Sequence, residues 1–334
     1  MEHFLYRREP SVEAAVRTVR ETTAAQFVAG ATNLTDLMTP GVMQPRALVD
    51  INELPARYRR IDSSDTRLRL GALVRMADAE DHPAVRARFP LIQQTLALAA
   101  SRQIRNMATL GGNLLQRTRC EYFRGRGFAC NKRAPESGCA ALEGVNRAHA
   151  VLGTSDKCIA TYAGDFALAL IALDATVETA GGAAGGRRIP FAQLHRLPGD
   201  TPELETILSA GELITYIDVP AGPWTQRSRY VKVRDRDSYQ FALASAAVAL
   251  QLEGSLVREV RIALGGVATV PWRARDAEAL LRGRRLDEAT ATRAAEVAFA
   301  YAQARRHNAF KIPLGKRTLV RALLETQAMS VAHE

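Results

Sequence analysis

The chain has 334 residues, of which 47% are hydrophobic, and a net charge of +10 with only five lysines among 45 basic residues. That length and apolar content suit two or three domains with real cores, and exclude a disordered chain. No apolar run is long enough to span a bilayer, and the arginines are spread through every segment. Scattered charge argues against a nucleic-acid-binding face and favours an acidic partner or an anionic cofactor.

The N-terminus, "MEHFLYRREP", lacks the basic-then-apolar pattern of a secretory signal. By its own sequence the protein is expected in the cytoplasm, and a periplasmic location would need co-export with a signal-bearing partner. "SVEAAVRTVRE" (Ser11–Glu21) has a capping serine and apolar residues at helical spacing. "QFVAGATNL" reads as a short strand ending in a Gly turn. "LTDLM" and the strand "ALVDI" (Ala47–Ile51) follow, completing a small β–α–β unit. "RLRLGAL" (Arg67–Leu73) alternates like a strand, and helices are expected in "DAEDHPAVRARF" and "LIQQTLALAA".

The stretch from Cys120 to Cys158 shows little regular periodicity. Beyond it, "DFALALIALDATVETA" reads as a helix running into a strand, and "AGGAAGG" (Ala180–Gly186) as a hairpin or loop. "ELITYIDVP" (Glu212–Pro220) is an alternating strand closed by proline. From near Trp224 the strands "SRYVKVR", "FALASAAVALQLEG" and "LVREVRIALGGV" precede helices such as "ATRAAEVAFAYAQARR". Strands followed by helices suggest an α+β domain.

Two turns carry binding potential. "VAGATNL" (Val28–Leu34) leaves backbone N–H groups uncovered, and Thr32 and Asn33 add side-chain donors. "RNMATLGGNLL" (Arg105–Leu115) repeats the theme with Thr109, Gly111, Gly112 and Asn113. Two such turns suit a diphosphate gripped from two sides. Neither reads G-x-G-x-x-G, so neither is a Rossmann fingerprint, and each alone is also an ordinary connection.

All four cysteines, Cys120, Cys130, Cys139 and Cys158, fall within 39 residues, spaced C-x9-C-x8-C-x18-C. A 4Fe–4S cluster takes one thiolate per iron, which matches the count. A four-thiolate zinc site usually shows close C-x2–4-C pairs, absent here, and structural disulfides need an oxidising compartment. The residues alone leave all three readings open.

Taken in order, "FVAGATNL", "SRQIRNMATLGGNLL", "DFALALIALDATVE", "ELITYIDVP" and "YVKVRDRDSYQFALASAAVAL" resemble the FAD-binding subunit of the molybdenum hydroxylases, the xanthine dehydrogenase and aldehyde oxidoreductase family. The resemblance covers essentially the whole chain. It implies an α+β protein with a vanillyl-alcohol-oxidase-type FAD-binding domain, in subdomains 1–60 and 61–222, and a C-terminal α+β domain over 223–334. Phe27, Val28, Ala29, Gly30, Ala31, Thr32, Asn33 and Leu34 would wrap the FAD pyrophosphate, with Ala108, Thr109, Gly112 and Asn113 as the second wall. It further implies Asp165 on the FAD side of its helix, Leu213 or Ile214 packed near the flavin or adenine, and Lys232 near the isoalloxazine.

About fifty residues separate Asn113 from Asp165, more than the ordinary family pattern has. This resembles the insertion, here about 117–162, that holds a 4Fe–4S cluster in the FAD subunits of periplasmic-type aldehyde oxidoreductases. The implied ligands are Cys120, Cys130, Cys139 and Cys158. His149, inside the insertion, could serve as a ligand or a proton relay, and is expected instead as a structural histidine bonded to a carbonyl. The chain shows no substrate base or molybdenum ligand, so no catalytic residue is expected in it. The resemblance implies an electron-transfer subunit of a heterotrimer. A large molybdenum-cofactor subunit would oxidise an aldehyde, a small subunit would carry 2Fe–2S clusters, and an external acceptor would take the electrons. The alternatives are the FAD subunit of a hydroxybenzoyl-CoA reductase-type enzyme, or a zinc- or redox-sensing binding protein.

Overall fold

A computed structural model describes residues 1–182 and 185–331. Three sheets follow one another along the chain. The first is parallel, in the order β1-β3-β2, from β1 (Leu5–Arg8), β2 (Ala25–Val28) and β3 (Ala47–Asp50). The helix Val12–Glu21 begins where expected: the Ser11 hydroxyl accepts from the Ala14 N–H at 3.1 Å. Its buried Val12, Ala15, Val16 and Val19 form a small core with Val49 and Ile51.

β4 (Ile61–Ser63), β5 (Arg67–Gly71), β6 (Thr176–Ala180), β7 (Arg188–Pro190) and β8 (Leu213–Pro220) form an antiparallel sheet in the order β4-β5-β8-β6-β7. β6 and β7 are antiparallel neighbours, as the "AGGAAGG" hairpin reading expects, although Ala183 and Ala184 lie outside the described residues. The helix Phe166–Ala172 is buried along its whole length between this sheet and the next one. Its Leu168 reaches so close to Gly265 that a Cβ there would stand 2.3 Å from Leu168 Cδ1.

The last sheet, β12-β11-β10-β9, is antiparallel: β9 (Ser228–Val233), β10 (Ala244–Glu253), β11 (Leu256–Gly265) and β12 (Trp272–Arg273). It carries the helices Arg275–Leu281, Glu288–Ala298 and Lys311–Gln327 and has its own apolar core. Two expectations change. The helix read through "ATRAAEVAFAYAQARR" stops at Ala298, where the chain turns so that Phe299 packs onto Gly315 of the last helix. "LGGNL", read as part of a turn, is a one-turn helix (Leu110–Leu114), capped by the Thr109 hydroxyl, which accepts from the Gly112 N–H at 3.3 Å.

Candidate functional site: a glycine-walled cleft and a four-cysteine pocket

The first Gly turn leaves β2 at Val28 and enters the helix Leu34–Met38. Ala31 takes a left-handed φ of 59°, an uncommon conformation for a residue with a Cβ. Its carbonyl accepts from both the N–H and the hydroxyl of Thr35. The second turn lies directly across. Gly30 packs on the Met107 carbonyl, Gly111 packs on Ala72, and Arg75 donates to the Met107 carbonyl.

Between the turns opens a cleft of about 860 Å³. It is lined by Phe27, Val28, Ala29, Gly30, Ala31, Thr32, Asn33 and Leu34, by Ala108, Thr109, Gly112 and Asn113, and by Leu213 and Ile214. The structure thus brings three segments, far apart in sequence, onto one opening. Asn33 Oδ1 accepts from the Arg117 N–H at 2.8 Å, while Asn33 Nδ2 and Asn113 Oδ1 are buried with no partner. Buried amide groups of this kind are normally satisfied, and both belong to residues of the cleft lining.

Asp165 and Lys232 lie outside the cleft lining and pair with each other. Lys232 Nζ lies 2.8 Å from Asp165 Oδ2 and donates to the Leu98 carbonyl at 2.9 Å, with the lysine side chain only 1% exposed. Tyr230 donates to Asp165 Oδ1 at 2.5 Å, and burial, then the carboxylate, hold its phenol well above its ordinary pKa. Lys232 is thus a buried, ion-paired lysine.

The four cysteines are free thiols and all line one pocket, with Tyr122, Phe123, Asn131 and Lys132 among its other walls. Among the described residues, no group of three or more His, Cys, Asp or Glu side chains has the arrangement of a metal-ion site. Cys130 and Cys139 face each other across a short antiparallel bridge. Burial pushes the Cys120 thiol up to about 12 and Cys158 to about 11, the latter opposed by the Lys132 ammonium. His149 Nε2 lies 3.2 Å from Cys120 Sγ, and burial lowers the imidazole pKa to about 4, a shift that a backbone hydrogen bond to Asn146 opposes.

The insertion is held from two sides. Asp36, beside the first Gly turn, pairs with Arg124 at 2.8 Å and Arg119 at 3.2 Å, and Arg124 holds its carboxyl below the usual range. From the other side, Asn308 Nδ2 donates to the carbonyls of His149 and Ala150. Lys311 Nζ donates to the Ala148 carbonyl at 3.0 Å and the Gly266 carbonyl at 2.6 Å.

Residues 2–222 match the FAD binding domain in molybdopterin dehydrogenase, and residues 229–326 match the CO dehydrogenase flavoprotein C-terminal domain. The chain belongs to the family of FAD-binding subunits of the molybdenum hydroxylases. It is 44% identical over 331 residues to the aldehyde oxidoreductase FAD-binding subunit PaoB of Escherichia coli K12, covering 99% of this chain and 100% of that one. The glyceraldehyde dehydrogenase medium chain of Sulfolobus acidocaldarius is 26% identical over 285 residues, covering 85% and 83%. Carbon monoxide dehydrogenase from Hydrogenophaga pseudoflava superposes with a TM-score of 0.76 at 26% identity, over 98% of each chain. This family member is therefore an oxidoreductase subunit with an FAD-binding domain.

The cleft fits that cofactor. Its Gly and Ala walls admit a phosphate close to the backbone, and its two orphaned amides offer a donor and an acceptor. Sequence reasoning missed part of the lining: Arg117, Glu203, Leu204, Glu205, Thr206 and the loop into β8. The one available signal was the polar, Gly-ended stretch "TPELETILSAGE" before a strong strand. Among the described residues no helix is long and apolar enough to cross a membrane.

Proposed function

We propose that this chain is the electron-transfer subunit of a molybdenum-dependent aldehyde oxidoreductase, holding FAD in the glycine-walled cleft and a 4Fe–4S cluster among its four cysteines. The observation that carries it is the juxtaposition of that cleft with a pocket lined by all four thiols. The full-length likeness to an aldehyde oxidoreductase subunit favours aldehydes over the other substrates of the family. A large molybdenum-cofactor subunit and a small 2Fe–2S subunit complete the assembly, and an external acceptor takes the electrons.

The chain's own residues bind and orient. Gly30, Ala31 and Gly112 give backbone approach to the pyrophosphate, Asn33 and Asn113 contribute their free amide atoms, and Leu213 and Ile214 supply an apolar wall. The Asp165–Lys232 pair is a buried ion pair outside the cleft lining. Cys120, Cys130, Cys139 and Cys158 line one pocket, and their number matches the one thiolate per iron that a 4Fe–4S cluster takes. When bound, FAD exchanges one or two electrons and the cluster one, with the protein setting position and potential.

Purification from the native host without air, followed by flavin, iron and molybdenum analysis, tests this. Co-elution with a molybdenum protein and a 2Fe–2S protein, one flavin and about four further irons on this chain are expected. A clean monomer, or zinc in place of iron, would refute it.

A further inference from the structure

A cavity of about 40 Å³ lies between the cysteine pocket and the glycine-walled cleft. It shares Lys132, Cys158 and Ala160 with the pocket, and Leu115, Glu205 and Thr206 with the cleft. One carboxylate spans this boundary. Glu205 Oε1 is 2.8 Å from Lys132 Nζ, and Glu205 Oε2 is 2.5 Å from Arg117 Nε. Lys132 is fixed further by donating to the Pro202 carbonyl at 2.8 Å. The Arg117 guanidinium lies 4.8 Å from the centre of the Phe123 ring, itself a wall of the cysteine pocket.

All three side chains are largely withdrawn from water, at 10%, 24% and 23% exposed for Lys132, Glu205 and Arg117. Charges in such a setting act through a low effective dielectric and escape most salt screening. We infer that Glu205 is a positioning residue that electrostatically couples the two redox centres, holding Lys132 toward the cluster and Arg117 toward the flavin. This rests on the FAD and 4Fe–4S reading above. Two cations sharing one anion leave net positive charge between the centres. An electron on either centre is stabilised by that charge, so a change at one end of the triad is felt at the other.

The test is a redox titration of the anaerobically purified complex, following flavin absorbance and the cluster's EPR signal in parallel. Glu205→Gln removes the shared negative charge, so both midpoint potentials rise. Lys132→Gln removes a positive charge beside the cluster and leaves Glu205 less neutralised beside the flavin, so both fall. Lys132→Arg keeps the charge and returns both toward wild type. If only one centre moves in Glu205→Gln and Lys132→Gln, or neither does, with iron and flavin contents intact, the coupling is wrong. Should Glu205→Gln lose a cofactor, the two Lys132 variants decide. Wild-type protein without iron on this chain overturns the cluster reading itself, and the coupling falls with it.

Discussion

A Cβ on Gly30 would stand 2.0 Å from the carbonyl oxygen of Met107, so the two walls of the flavin cleft are in backbone contact at this point. Gly30→Ala must push them apart. We expect it to lose most of its flavin and about 1–3 kcal/mol of stability, the usual cost of overpacking. Flavin absorbance after desalting and a chemical denaturation curve check both.

Gly112 differs. A Cβ there meets only the Thr109 hydroxyl, at 2.9 Å, and otherwise enters open space. Gly112→Leu should therefore fill the cleft without disturbing the core. Flavin content falls sharply, while stability stays within about 1 kcal/mol of wild type, because a glycine in a helix costs about that much. Full flavin retention in this variant would displace the cofactor from this wall.

Cys130→Ser should lose most of the iron, since serine is the poorer ligand, and keep much of the flavin, because no cysteine lines the cleft. The unfolding midpoint should also drop, because bonds to the proposed cluster would stand in for an apolar core in the insertion. Paired iron and flavin analysis, made without air, separates the two effects.

Lys311 is fully buried, and that burial, with Arg147 adding to it, lowers its ammonium pKa from 10.5 to about 7. The unfolded chain therefore binds the extra proton between those values. This residue's contribution is least favourable below pH 7 and improves as pH rises toward 10.5. Thermal unfolding at pH 7, 8 and 9 should show a stability rise with pH that is shallower in Lys311→Met. Equal slopes in the two proteins would sink this assignment.

The apolar strands were legible: β10 is a buried run over Ala244–Leu250, β11 alternates before its buried end, and β8 is buried at six of its eight positions. β1 was not, because all four of its residues are exposed and what holds it is its pairing with distant β3, by backbone and by Tyr6 and Arg8 on Asp50. The helix after Thr109 was hidden for the opposite reason. Paired glycines oppose helix formation locally, and close packing of Gly111 on Ala72 imposes it. Both Gly turns were visible as donor-rich segments, yet only the fold sets them face to face. The Asp165–Lys232 pair and the His149–Cys120 contact join residues 67 and 29 positions apart, distances over which no local pattern operates.

The clamp on the insertion also fixes an order of manufacture. Every residue that lines the flavin cleft precedes β9, so its walls exist once two thirds of the chain has been made. The shell behind the cysteines is different, because Asn308 and Lys311, which grip the backbone at residues 148–150, come near the chain's end. During synthesis the four thiols emerge long before that grip can form. They stand without that grip until the final helix, which begins at Lys311, docks.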